Sequence, residues 1–598
     1  MKSNALKKIK DLYVKLSYIL TLQQKLIGIV VVISALITAM FELLGVSIIV
    51  PLIHAIVNPM EIRNNRFFIL FEKHWGDISN NELIVVIIVG VMIVYLIKNI
   101  VFCINAWVRL KYSCKIQREC SVRMLSTYLS RDYIFFLNNN VNELIQGTVG
   151  DIGCLYCVIF AILQIITQLA IIAFIAAYMI YVDWLIALGV VVSALACLIA
   201  ISYVFRTGIR EAGIAIRKYS VKANKILLEV FSGVKEVIVL DKKDFYVREY
   251  EDCNVIKQKY LIKQGLGTEM PAYIIETVCI IGIMSVLCAR ILGVENPEMF
   301  IATLSTFALG AFRILPGLGK LASSINTITT NSPNINTIYK NLKDAEEYLR
   351  EVHQEQLADG GIDSSEVSFS NCLELRDITF AYDKEKKGNV IENVSLKIKK
   401  GESIAFIGET GAGKSTLGDI ILGVLKPQLG KVYVDGTDIS LIPKKWSSLV
   451  GFVPQSIYLS DATIRNNVAF GEREDEIDDT RIVESLKKAN VWSFIESLPD
   501  GIYTEIGDRG VRLSGGQRQR IGIARALYHD PQIMILDEAT SALDNDTEKV
   551  VMDAIDSLHG HMTLVIIAHR LTTIRKCDRI FECADKGIKE LKYVDIKQ

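Results

Sequence analysis

"ESIAFIGETGAGKSTLGDIIL", Glu402 to Leu422, reads as an apolar strand, a glycine-rich loop and the start of a helix. From Gly408 to Ser415 it fits G-x-x-x-x-G-K-[ST] in the strand-loop-helix setting that this motif requires. Glycines let consecutive backbone N–H groups close around phosphate oxygens, and the N-terminus of the following helix adds its positive dipole end. Gly408, Glu409, Thr410, Gly411, Ala412, Gly413, Lys414, Ser415 and Thr416 are therefore expected to cradle a nucleotide. Lys414 should reach its outer phosphates and the Ser415 hydroxyl should bind magnesium.

Further along, "IMILDEATSALD" begins with a buried-strand run, Ile533 to Leu536, that delivers Asp537 and Glu538 at its carboxyl end. That is where α/β sheets bind ligands. Asp537 is expected to hold magnesium, and Glu538 to orient and polarise the attacking water as general base.

Between these stretches lies "LSGGQRQRIGIARAL", Leu513 to Leu527, and with it the C-terminal part resembles the ATPase of ABC transporters. Other elements follow in that family's order: "FAYD" with Tyr382, "VPQ" with Gln455, "SALD" with Asp544 and "IIAHRL" with His569. "TEIGDRG", Thr504 to Gly510, is similar to the exporter-specific stretch ahead of the signature. The resemblance implies ATP and Mg2+ as cofactors, with Ser415, Gln455 and Asp537 on the metal and Tyr382 stacked on adenine. It implies catalytic roles for Glu538, for Gln455 as the switch glutamine and for His569 as the γ-phosphate sensor. In this family the signature of one ATPase completes the nucleotide site of another, so Ser514, Gly515, Gly516 and Gln517, with Asp544, imply that the chain pairs with itself as a homodimer. A heterodimer stays open.

The rest of the chain is different in kind. Of 598 residues 51% are hydrophobic, with mean hydropathy +0.33, which is too apolar for an ordinary soluble enzyme. The apolar residues concentrate before about residue 340, in roughly six stretches long enough to cross about 30 Å of hydrocarbon. They lie near 26–56, 83–107, 158–181, 184–205, 271–292 and 300–325. The first is a poor signal peptide, being too long and lacking a small-residue cleavage site. Lys and Arg crowd the N-terminus and the segments 109–131 and 206–263, which places these and both termini in the cytoplasm by the positive-inside rule. The expected fold is thus an α-helical membrane domain of six transmembrane helices (1–340), a linker (341–370) and an α/β P-loop ATPase domain of ABC type (371–598). The expected setting is multi-pass in a bacterial cytoplasmic membrane. Net charge +0 accompanies an expectation of no nucleic-acid partner.

Two cytoplasmic loops, 129–152 and 230–250, resemble the family's coupling-helix regions, with Phe135 and Phe136 as candidates for contact with the ATPase. The close pair Cys154 and Cys157 reads as packing residues, since no second pair or histidine accompanies it.

Three charges bear on cargo. Arg313 lies about 20 Å below the outer end of the sixth stretch by helical rise, near the membrane midplane, and Lys320 shares its face seven residues on. Glu42 is a lone acid at comparable depth in the first stretch. Two readings stand side by side: a structural Glu42–Arg313 ion pair, or Arg313 and Lys320 guiding an anionic head group such as a pyrophosphate. "ELLGVSIIVPL" (42–52), "FRILP" (312–316) and "VPQSIYLSDATIRNNVAFG" (453–471) resemble bacterial lipid-linked oligosaccharide flippases. "RFFILFEKHW", Arg66 to Trp75, is amphipathic and suited to the outer membrane interface. The resemblance implies membrane lipid as partner and a polyprenyl-pyrophosphate glycan as cargo, moved to the outer leaflet. Exporters of other lipids, drugs or peptides, and a non-pumping regulator or channel, are the alternatives.

Overall fold

The computed structural model describes residues 2–49, 51–52, 80–182, 184–291, 297–358, 368–383, 388–507, 510–538, 545–568, 570 and 574–591. The chain forms two compact units. Unit 1 comprises Met1–Arg131 and Asn139–Leu349; unit 2 comprises Asp132–Asn138 and Arg350–Gln598.

Unit 1 is helical: α1 (Lys2–Ile19), α2 (Leu22–Ser47), α3 (Asn80–Leu129), α4 (Ile152–Val182), α5 (Trp184–Ser232), α6 (Lys243–Ile291) and α7 (Pro297–Ala358, whose end extends into unit 2). Thr21 starts α2 with a capping box: its hydroxyl accepts from the Gln24 N–H while the Gln24 side chain accepts from the Thr21 N–H. The faces of α2 are inverted relative to a water-soluble helix. Leu26, Val30, Ile33, Ile37, Met40 and Leu44 are exposed, whereas Gln24, Thr38 and Glu42 are buried. The same holds in α3, where Val89, Ile93, Leu96 and Ile100 face outward and Lys98 and Asn105 inward. Such a surface is stable in hydrocarbon, where polar groups must find partners inside the protein.

Among the described residues three segments are long and apolar enough to cross a membrane: Leu22–Ser47, Asn81–Leu129 and Val141–Val182. The other three expected crossings fall in α5, α6 and α7, the one in α6 ending at residue 292, outside the described set. The helices meet around Ala39, Ile171, Ile175, Ile275, Phe307 and Ile314, with glycines at the closest approaches. A Cβ on Gly213 would sit 2.1 Å from the Thr330 carbonyl oxygen, so only glycine lets α5 and α7 come so close.

The first part of the expected linker, from residue 341, continues α7 and is helical to Ala358. Ile335, Ile338, Leu342 and Ala345 recur at helical spacing and are buried, so apolar packing carries the helix past the point where the composition turns polar.

Unit 2 is built on a six-stranded sheet and a four-stranded antiparallel sheet. Its strands are β1 (Cys372–Phe380), β2 (Ile391–Lys399), β3 (Ser403–Ile407), β4 (Leu429–Val434), β5 (Thr437–Asp438), β6 (Val450–Val453), β7 (Ile533–Asp537), β8 (Thr563–Ile567), β9 (Arg579–Ala584) and β10 (Gly587–Leu591). The larger sheet has order β10-β9-β3-β8-β7-β6, parallel except for β10, and the smaller has order β2-β1-β4-β5. The near-continuous burial of β3, β7 and β8 is that of a parallel sheet covered on both faces. The short helix Tyr133–Asn138 clusters with this unit, and its Ile134 packs against the core around Phe380, Phe406 and Leu417. Sequence reading singled out Phe135 and Phe136, which meet each other edge to face at 5.5 Å.

Candidate functional site

The P-loop joins β3 to α8 (Lys414–Ile421). Gly408, Gly411 and Gly413 have φ of +139°, +87° and +93°, and a Cβ on Gly408 would lie 2.5 Å from the Cys583 carbonyl oxygen. Glycine is demanded there by both backbone angle and space. Lys414 opens α8, buried, and its Nζ donates to the carbonyl oxygens of Gly408 and Glu409 at 2.8 Å each. Those bonds hold the ammonium inside the loop that Glu409, Thr410 and Ala412 complete.

The neighbouring strands bring the remaining groups to the same edge. β7 pairs with β8, and it ends at Asp537, whose carboxylate accepts from the Ser415 hydroxyl at 3.4 Å. Glu538, one residue beyond, has φ +46°, a strained value for a side-chain-bearing residue, and its N–H donates to the Ile567 carbonyl. The Gln455 Nε2, two residues after β6, donates to a Glu538 carboxylate oxygen at 2.6 Å. Tyr382, just past β1, is hydrogen-bonded to the Thr416 hydroxyl at 3.0 Å and packs edge to face on Phe380. The Ser415 hydroxyl and the Asp537 carboxylate meet at one place and offer oxygen donors, which suit a hard cation such as Mg2+.

The signature forms the start of α9 (Gly515–Leu527). Ser514 is its N-cap in a capping box with Gln517, so Ser514, Gly515 and Gly516 stand at a positive helix end, and Ser514 and Gln517 bond to one another. His569 and Asp544 lie outside the described residues, as do Arg66–Trp75 and part of Thr504–Gly510.

Sequence reading missed Asp419. It lies one turn after Ser415 on α8, and burial together with the Asp537 carboxylate pushes it up to about 6. The i, i+4 spacing from Ser415 was the available signal.

In unit 1 the Glu42 carboxylate is held between two cations, Lys98 Nζ at 3.1 Å and Arg313 Nε at 3.3 Å. Lys98 also lies over the Tyr95 ring at 4.6 Å, and an Arg313 amino group reaches the Tyr95 hydroxyl at 3.5 Å. Sequence reading missed Lys98, although it is the single charged residue between Leu83 and Trp107. Lys320 is placed apart from this cluster and lines a cavity of 1060 Å³ bounded by α4, α6 and α7. Cys157 lines the same cavity, while Cys154 is half-buried.

The ABC transporter family model matches residues 391–541. Over 376 residues the chain is 31% identical to the heterocyst differentiation ATP-binding protein HepA of Nostoc sp., an alignment covering 62% of this chain and 59% of that one. It is 43% identical over 207 residues to the ATP-dependent lipid A-core flippase of Francisella novicida, covering 34% of each. The chain thus spans about three fifths or less of the curated relatives it matches. In three dimensions it is similar to a bacterial Atm1-family ABC exporter with ATP bound, with TM-score 0.71 and 20% identity over 94% of this chain and 95% of that one. The nucleotide motifs thus gather at one sheet edge, most of them within the stretch that matches the ABC transporter family, and the chain as a whole has the fold of that exporter.

Proposed function

We propose that this protein is an ATP hydrolase coupled to transmembrane transport, an exporter or flippase that moves an amphipathic lipid to the outer leaflet. The observation that carries the reading is the Gln455–Glu538 hydrogen bond beside Ser415 and Asp537, which joins the switch glutamine to the carboxylate that polarises water. Lys414 and the loop N–H groups hold the phosphates, Tyr382 stacks on the base, and Glu538 accepts the proton of the attacking water. Ser415, Gln455 and Asp537 would hold Mg2+, which when bound would supply charge neutralisation on the outer phosphates. His569 senses the γ-phosphate, and Asp544 with Ser514, Gly515, Gly516 and Gln517 of a second copy closes each site in a homodimer. Six crossings, with both termini in the cytoplasm of a bacterium, fit this arrangement.

The finer reading of cargo is a polyprenyl-pyrophosphate glycan, supported by the likeness to flippases and by Lys320, which lines the cavity in unit 1. The test is ATP-driven flipping of a fluorescent polyprenyl-pyrophosphate oligosaccharide in proteoliposomes, with Glu538→Gln as control. Flipping by wild type alone is expected. ATP hydrolysis without flipping would refute the glycolipid, and no hydrolysis above the Glu538→Gln level would refute the pump.

A further inference from the structure

The cavity in unit 1 is lined by three charged side chains, Glu269 and Glu276 from α6 and Lys320 from α7. All three are exposed to it, and among the described residues none makes a hydrogen bond or an ion pair. They contrast with Glu42, Lys98 and Arg313, which satisfy one another. Glu269 and Glu276 are about two helical turns apart on one face of α6. Midway between them lies Ala272, against which Gly319 packs so closely that a Cβ there would sit 2.9 Å from the alanine's own. Lys320 therefore enters the cavity at a level between the two acids, about one turn, or about 5 Å, from each. The charge order along the wall is minus, plus, minus. Around it the wall is apolar and aromatic: Tyr156 and Phe160 stack at 6.1 Å, and Phe312, at 76% exposure, stands free in the space.

An ionisable side chain at membrane depth costs about 2.5 to 3.5 kcal/mol or more unless it is paired or solvated, and such residues mark substrate paths. Three unpaired ones around a cavity that can hold a large amphiphile point to a ligand that supplies the missing charges. Taking this cavity as the cargo site rests on the exporter reading above. We propose that the cargo carries in its head group both a primary amine and a phosphate-type anion a short linker apart. The anion meets Lys320, the amine meets Glu269 or Glu276 one turn away, and the apolar part runs along Tyr156, Phe160 and Phe312. A purely anionic head group would face two carboxylates for one ammonium, a like-charge juxtaposition that disfavours it. If the cargo is a polyprenyl-pyrophosphate glycan, the sugar must carry a free amine.

The test is binding, so that it does not depend on hydrolysis. Full-length protein in neutral detergent is titrated with short-chain phosphatidylethanolamine and phosphatidylglycerol bearing the same fluorescent acyl chain, read by anisotropy, in wild type and in Glu538→Gln. Both proteins should bind the amine-bearing lipid about tenfold more tightly, a difference of about 1.4 kcal/mol. Glu269→Gln/Glu276→Gln should bring the ratio near unity by relieving the anionic lipid, and Lys320→Gln should weaken both lipids. Equal binding of the two lipids by wild type would overturn the proposal, as would a preference that survives both glutamine substitutions. A pump that fails to hydrolyse ATP yet keeps the preference would sink the exporter reading and leave the site.

Discussion

Glu42→Gln and Arg313→Gln remove opposite partners of one ion pair and should differ sharply in cost. The Glu42 side chain is 6% exposed and Lys98 3%, whereas Arg313 is 36% exposed. Removing the Glu42 charge strands Lys98 inside the helix bundle, with the Tyr95 and Phe102 rings as its remaining polarisable neighbours. Breaking a buried pair by deleting one partner costs about 3 to 5 kcal/mol, because an uncompensated charge remains. Removing Arg313 leaves Glu42 still neutralised by Lys98 at 3.1 Å. What is lost is a half-exposed pair, worth about 1 kcal/mol. At about 2 °C per kcal/mol, the rate for larger domains, Glu42→Gln should lower the Tm of the detergent-solubilised protein by about 6 to 10 °C and Arg313→Gln by about 2 °C. Glu42→Gln/Lys98→Met should recover most of the loss, since an apolar pair of similar volume needs no counter-ion. Thermal unfolding followed by intrinsic fluorescence reads all three. Equal losses for the two single variants, or no recovery in the double one, would refute Lys98 as the hub of the cluster.

Asp151 is fully buried and takes both Arg217 Nε and a terminal amino group on its carboxylate; Asp151→Asn should cost about 3 kcal/mol, read as a drop in Tm of about 6 °C. Gly408→Ala adds a Cβ at φ +139° against the Cys583 carbonyl, so it should abolish nucleotide binding in a fluorescent ATP titration while the protein still folds. The Asp419 carboxyl is held at about 6, above its ordinary 3.8, by burial and then by Asp537, so the fold favours its neutral form. That contribution is full below the ordinary value and is lost as pH rises through about 6. Asp419→Asn, which is neutral at every pH, should therefore raise Tm relative to wild type at pH 8 and show little difference at pH 4; an advantage independent of pH would refute the assignment.

The ATPase half was legible because its chemistry is local. Gly408 to Ser415 must supply glycines, a lysine and a hydroxyl within one loop, and Asp537 and Glu538 must end one strand, so spacing alone named them. The membrane half was legible as helices for a similar reason, since about 20 apolar residues are needed to cross hydrocarbon whatever the fold. Where the last helix ends was not, because Ile335, Ile338, Leu342 and Ala345 keep α7 going by packing on partners that no linear pattern reveals. Tertiary structure also decided the charges. Glu42, Lys98 and Arg313 come from three helices, and which cations meet the acid depends on how those helices rotate against one another. The level of Lys320 between Glu269 and Glu276 depends likewise on Gly319 resting against Ala272. Sequence by itself determined which residues must bind nucleotide, since short-range spacing creates that site; only packing between distant helices determined which charges are spent on one another and which remain for a ligand.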